Sequence, residues 1–246
     1  LFDCGSGVTQ RLNAAGVKSS DIEILFVTHL HSDHVMDIYQ LYISGWHQGR
    51  DKKFRIVGPK GTKEFFQNML KAFKNELQGR VQWEQRPNKD GLDYEIIEIN
   101  SDYAYKNLDL EITPFEVDHY PVDPAYGYQI KVLDTENEKK VVISGDTRKN
   151  ENLITHAMDA DALVHEVFIN LEFDEKRMSK KTIFNVRDYH TSPKEIGEIA
   201  KAANVKKLIL THFVPPVFDE AFLTKEIRES YMGNVIIGED LLTIEI

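Results

Sequence analysis

Short apolar runs recur along the chain, each ending in a polar or glycine turn, and stretches of helical spacing lie between them. Leu25, Phe26 and Val27 form one such run, with polar side chains beginning at Thr28, which is the pattern of a buried strand. Residues 8–15 before it predict a short helix stopped by Gly16. After it, Val35, Ile38, Tyr39, Tyr42 and Ile43 predict an amphipathic helix that ends near Gly45 and leaves His47 in a loop. Residues 54–57 read as a strand. Gly58-Pro59-Lys60-Gly61-Thr62 reads as a turn and helix cap, because it lacks the residue order of a phosphate loop. The helix that follows is expected over about 63–77, with Phe65, Phe66, Met69, Leu70 and Phe73 as core or pocket wall and Trp83 covering the same region.

Residues 92–117 alternate enough to predict strands. Residues 126–132 and 140–147 then form a hairpin through the polar 134–140 turn, and 161–168 is another strand. The charged stretch 169–187 has no strong pattern and is a candidate lid. Ser192, Pro193 and Glu195 spell an N-cap, a first-turn proline and a capping box ahead of Ile196, Ile199, Ala200 and Ala203. Asn204 closes that helix, and residues 205–210 lead to Thr211-His212-Phe213. A helix over 220–231 and strands around 234–246 complete the chain. Two similar halves, each strand-rich with helices at the edges, predict an α/β protein built as a four-layer αββα sandwich, one domain over residues 1–246.

The chemistry gathers where strands stop. His29, His31, Asp33 and His34 fall within six residues of a chain that has nine histidines in all. His29 and His31 are two apart, so in extended backbone their imidazoles project to one side and can share a cation. Asp33 and His34 follow the turn and serve either a neighbouring cation or the same metal and its bound water. Imidazole with carboxylate suits zinc first, and manganese or iron, better than calcium or magnesium. His119, after the run Leu110, Ile112 and Phe115, adds a third neutral nitrogen in a loop restrained by Pro121 and Pro124. Asp146 ends an apolar run beside Gly145; it either bridges two cations or merely opens a turn before Arg148. His212 repeats the delivery of a histidine by an apolar strand. His165 and Glu166 are neighbours expected to face opposite ways. Of the two, Glu166 is the candidate acceptor that orients a ligand or catalytic imidazole. His190 lies just before a helix N-terminus.

Composition narrows the partners. The chain has 246 residues, 30 Lys and Arg against 40 Asp and Glu, and a formal net charge of -10, so a passive electrostatic grip on extended nucleic acid is not expected. Cations bound at the site reverse the sign locally and admit a small anionic ester. Cys4 is the only cysteine, which excludes an internal disulfide framework and a thiolate metal cluster. No run approaches the length of a membrane-spanning helix; a cytoplasmic location is favoured. Leu1-Phe2-Asp3-Cys4-Gly5-Ser6-Gly7 reads as a strand already in progress, so a preceding segment, and any targeting signal with it, is expected to be missing.

The set His29, His31, Asp33, His34, His119, Asp146 and His212 resembles the metallo-β-lactamase superfamily of dinuclear hydrolases. The resemblance covers essentially the whole chain in motif order. It implies that His29, His31 and His119 hold one cation, that Asp33, His34 and His212 hold a second, and that Asp146 bridges them. It also implies that the missing beginning is the first hairpin of that fold. Phe2-Asp3-Cys4-Gly5-Ser6-Gly7, Val164-His165-Glu166-Val167-Phe168 and His190-Thr191-Ser192 look most like the ribonuclease Z and arylsulfatase-like branch, in which the counterpart of His190 assists catalysis and that of Glu166 supports it.

The expected function is hydrolysis of a small phosphodiester or sulfate ester by a hydroxide that bridges two metal ions, with Asp33 orienting it and His190 acting on the departing group. The alternatives are ribonuclease Z-like processing of tRNA 3' ends, which the acidic charge and the lack of an obvious basic arm oppose, a lactonase, and a non-catalytic scaffold around one structural metal. A redox di-iron role ranks below these, since no flavin-binding region is present. The resemblance makes a homodimer plausible.

Overall fold

The protein is described here by a computed structural model covering residues 1–100, 103–133, 138–169 and 178–246. It divides into two compact units, Leu1–Ser101 and Asp102–Ile246.

The first unit is built on a parallel sheet in the order β1-β2-β3, with β1 at Ile24–Phe26, β2 at Phe54–Gly58 and β3 at Tyr94–Glu98. Parallel neighbours need long crossovers, and helices supply them. α1 (Val8–Ala14) precedes the sheet, α2 (Ser32–Val35) and α3 (Ile38–His47) join β1 to β2, and α4 (Thr62–Ala72) and α5 (Lys74–Glu84) join β2 to β3. Leu25, Val27, Ile38, Leu41, Tyr42, Phe54 and Phe66 form the core of this unit.

Three expectations change here. The helix after the histidine cluster does not stop at Gly45, and His47 is its last residue rather than part of a loop. Gly45 serves packing: a Cβ there would lie 2.1 Å from a guanidinium nitrogen of Arg50. Arg50 is buried, and its Nη2 donates to the carbonyls of Tyr42 (2.7 Å) and Gly91 (3.0 Å). The helix expected over 63–77 is two helices that part at Phe73. α5 buries no residue, and Trp83, 89% exposed, covers nothing. The Gly58–Thr62 stretch is the expected turn and cap. Glu98 Oε1 accepts from the amides of Gly61 (2.8 Å) and Lys63 (3.1 Å), occupying donors that a phosphate would need.

The second unit holds a mixed seven-stranded sheet in the order β10-β9-β8-β7-β6-β5-β4. The strands are β4 (Tyr105–Lys106), β5 (Leu110–Val117), β6 (Ala125–Val132), β7 (Lys139–Ile143), β8 (Ala162–Phe168), β9 (Lys207–Val214) and β10 (Asn234–Ile237). Pairing is antiparallel from β4 to β7 and parallel from β7 to β10. The pairing changes from antiparallel to parallel where helices begin to intervene: α6 (Glu151–Ala157), α7 (Lys180–Asp188), α8 (Pro193–Ala202) and α9 (Glu220–Arg228). Leu153, Leu163, Ile196, Ile199, Leu208, Leu210 and Leu223 form the core of this unit.

The β6–β7 hairpin forms as expected, except that β7 ends at Ile143 rather than running to 147; residues 134–137 of its turn lie outside the described residues. Residues 170–177 of the candidate lid also lie outside them, while its end is the regular helix α7. α9 ends at Arg228 rather than near 231, and beyond β10 no further strand forms among the described residues. α8 begins with the full capping box: the Ser192 hydroxyl accepts from the Glu195 amide, and the Glu195 carboxylate accepts from Ser192.

Candidate metal centre

In the first unit the candidate ligands lie on the loop from β1 through α2. His29 Nε2 and His31 Nδ1 stand 3.0 Å apart. Asp33 Oδ2 and His34 Nε2 stand 3.8 Å apart on the next turn. His29 is fully buried and His34 nearly so, whereas the Asp33 side chain is 61% exposed.

What holds this loop comes from the start of the chain. The Cys4 amide donates to the His34 carbonyl (2.7 Å) and the Asp37 amide to the Cys4 carbonyl (3.0 Å). A Cβ on Gly5 would lie 2.0 Å from the Asp33 carbonyl oxygen, so only glycine permits this approach. Asp3 Oδ1 accepts from the Thr28 amide (2.8 Å). Its Oδ2 accepts from the Thr28 hydroxyl (2.8 Å) and meets His34 Nδ1 at 2.8 Å.

These contacts fix where the protons are. The Thr28 hydroxyl gives its one hydrogen to the Asp3 carboxylate, so toward His29 Nδ1, 3.0 Å away, it can only accept. His29 therefore carries its proton on Nδ1, and Nε2 is unprotonated. His34 does the same by donating from Nδ1 to Asp3. A bare nitrogen whose ring partner is held by an oxygen acceptor is how a protein presents imidazole to a metal.

The second unit repeats the device. His119, just past β5, donates from Nδ1 to the Tyr189 carbonyl (2.8 Å), so in the neutral ring Nε2 carries no proton. Asp146 follows β7, is 2% exposed, and has its Oδ2 3.4 Å from His212 Nε2 and 4.0 Å from His190 Nδ1. Asp146, His190 and His212 offer ligand atoms that all lie within 4.8 Å of one another. His212 does not end its strand as expected. β9 continues to Val214, and His212 is the extra residue of a β-bulge, with Glu166 facing Thr211 and Val167 facing Phe213. Its φ of 47° turns the imidazole out of the ladder.

Glu166 and His190 lie side by side. Glu166 Oε1 lies 3.2 Å from His190 Nδ1 and accepts from the amides of Thr191 (2.9 Å) and Thr147 (3.4 Å). Burial first, and then the Asp146 carboxylate, push the Glu166 carboxyl well above the usual carboxylate range. His165 faces away from this cluster: it donates from Nδ1 to the Glu166 carbonyl (2.6 Å), and burial lowers its imidazole to about 4. It is neutral at pH 7 and joins no ligand group. The sequence reading missed Asp3 and Thr28. The only signal was their place in two motifs that sit 25 residues apart.

The donor set, neutral imidazoles with carboxylates and no thiolate, fits divalent cations in both units. Among solved structures, the metallo-β-lactamase fold protein YhfI of Bacillus subtilis matches with a TM-score of 0.70 at 23% identity, over 97% of this chain and 83% of that one. The short form of human tRNase Z matches with a TM-score of 0.67 at 22% identity, over 100% and 87%. The fold is thus that of the metallo-β-lactamase superfamily, with β-sheets flanked by helices. Ribonuclease Z of Mycobacterium sp. (strain KMS) is 32% identical over 251 residues, 100% of this chain and 85% of that protein. Within the superfamily the chain belongs to the family described as Anti-Pycsar protein Apyc1, whose model matches residues 1–214. It is a metal-dependent hydrolase of ester bonds, with His and Asp ligands for a dinuclear centre. No helix among the described residues is long and apolar enough to cross a membrane.

Proposed function

We propose that the chain, acting as one catalytic domain, hydrolyses small phosphodiesters with two zinc ions. The observation that carries this reading is the set of imidazoles, His29, His34 and His119, each with an oxygen at Nδ1 that takes the ring proton, so that Nε2 is the unprotonated nitrogen. As the superfamily resemblance implies, His29, His31 and His119 would hold one ion, Asp33, His34 and His212 would hold the other, and Asp146 would be shared between them. Such ions would supply Lewis acidity toward water and positive charge toward the ester oxygens.

The chain's own residues do the rest. Asp33 orients the attacking water. Glu166 holds His190, which delivers a proton to the departing oxygen as the new bond from water to phosphorus forms and the old ester bond breaks. The leaving group departs as a neutral alcohol or phenol. Sulfate esters are the runner-up, since the same groups face the same kind of oxyanion. Ribonuclease Z-like cleavage is a second reading, favoured by relatives matched over the whole chain and opposed by the net charge of -10. The description of the family adds a proposed use, action against Pycsar.

The test is metal content and turnover measured together on aryl phosphodiester, aryl sulfate and lactone substrates, repeated for His190→Ala. Two zinc ions per chain with phosphodiester turnover, lost in a variant that keeps both ions, supports the reading. Lactone cleavage alone, indifferent to His190, refutes it. Loss of an ion in the variant makes His190 a ligand, as its place beside Asp146 and His212 would allow.

A further inference from the structure

Arg148 stands two residues after Asp146, and its guanidinium reaches two other segments of the site. Nη1 donates to Asp118 Oδ1 (2.6 Å), and Nη2 donates to Asp188 Oδ2 (2.9 Å) and to the Tyr120 carbonyl (3.1 Å). Its backbone amide adds a bond to the Asp118 carbonyl (2.8 Å). Asp118 immediately precedes His119. Asp188 ends α7, next to Tyr189, whose carbonyl takes the Nδ1 proton of His119 (2.8 Å), and two residues before His190. One planar fork therefore spans the segments that carry Asp146, His119 and His190.

We propose that Arg148 is a positioning residue that sets His119 against its acceptor at Tyr189 and keeps His190 at Asp146. This inference rests on the hydrolase reading above. α7 makes the need plain: it buries no residue of its own, so contacts at its C-terminal end must locate it. Glu166 grips the Thr147 and Thr191 amides from the buried side, and Arg148 closes the same segments from outside. A lysine cannot substitute, because a single ammonium does not present two nitrogens in a fixed plane.

The competing role is contact with an anionic substrate. Arg148 lines a cavity of about 720 Å³ with Lys149, Arg187 and Lys194. Yet its charge is already met by two carboxylates and three of its donors are engaged. It is committed inside the protein before any substrate arrives.

The test compares Arg148→Gln, Arg148→Lys, Asp188→Asn and the double variant Arg148→Gln/Asp188→Asn. For a positioning role, Arg148→Gln and Asp188→Asn each lower kcat by about tenfold with KM unchanged, the low end for groups that orient ligands. The double variant is no worse than either single one, and Arg148→Lys gives little rescue. On metal-free protein, nitrogen NMR shows His119 protonated at Nδ1 in the wild type and mixed between Nδ1 and Nε2 in both single variants.

A raised KM in Arg148→Gln with Asp188→Asn silent makes Arg148 a substrate contact and overturns the proposal. So do additive losses, or an unchanged His119 tautomer. If Arg148→Gln fails to fold, Asp188→Asn, which breaks the same pair at an exposed carboxylate, decides alone. If the wild type hydrolyses none of the esters, the functional reading fails by itself, and the His119 tautomer still decides the role of Arg148.

Discussion

Asp3→Asn changes one oxygen into an NH2 group and should disable two metal ligands. Asp3 Oδ1 still accepts from the Thr28 amide, so the buried backbone stays satisfied. At Oδ2 every direction reverses. The new amide hydrogens point at the Thr28 hydroxyl and at His34 Nδ1, both 2.8 Å away in the wild type. Thr28 must then accept from Asn, and its own proton turns to His29 Nδ1 at 3.0 Å. That moves the His29 proton to Nε2, the nitrogen facing His31 at 3.0 Å. His34 is driven the same way. Metal binding must then break both arrangements, at about 1–2 kcal/mol each, or about 3 kcal/mol together, roughly a hundredfold in affinity. Competition against a chelator of known zinc affinity reads the loss, and nitrogen NMR of metal-free protein reads the tautomers. Asp3→Ala is the control: it strands the Thr28 amide, in a residue 1% exposed, and costs about 1–3 kcal/mol of folding stability that Asp3→Asn should not. Wild-type zinc affinity in Asp3→Asn, with His29 still protonated at Nδ1, would refute the proton assignment.

Gly5→Ala forces a methyl to within 2.0 Å of the Asp33 carbonyl, so the loop must move; a loss of about 1–3 kcal/mol in stability together with weakened zinc binding is expected, and a melt and metal titration matching wild type would contradict it. The Glu166 carboxyl is held above its ordinary 4.5 by burial and by Asp146, so folding of the metal-free protein takes up a proton. Stability should fall as pH rises from about 4.5 through the folded value. Glu166→Gln should flatten that fall in urea titrations with chelator present, and an equally steep fall would sink the idea. His165 works with the opposite sign: its folded value of about 4 lies below the ordinary 6.5, so its contribution is complete above pH 6.5 and is lost on acidification toward 4, about 3 kcal/mol in all. His165→Gln should remove most of that acid slope. Removing metal with a chelator should abolish ester hydrolysis, and zinc should restore it; activity that survives a verified metal-free preparation would overturn the catalytic reading.

The candidate ligands were legible because each depends on its own neighbours in the chain. His29, His31, Asp33 and His34 share one loop, and His119, Asp146 and His212 lie at or near the C-terminal ends of apolar strands, so residue type and strand spacing were enough to select them. The capping box at Ser192 and Glu195 was legible for the same reason. Gly45 misled because glycine usually ends a helix, and nothing nearby announces that the buried Arg50 guanidinium needs its space. The bulge at His212 was hidden too, since it exists only relative to the register of β8. The same division runs through the chemistry of the site. Which atoms can bind a cation is local, but whether they are bare is decided by acceptors far along the chain: Asp3 for His34, 31 residues away, and the Tyr189 carbonyl for His119, 70 residues away. Thr28 shows the point most sharply. It adjoins His29, yet it could equally donate to that ring or accept from it, and only the Asp3 carboxylate, 25 residues earlier, makes it an acceptor. A histidine motif therefore specifies where a metal goes, while the fold sets the proton positions that let it bind.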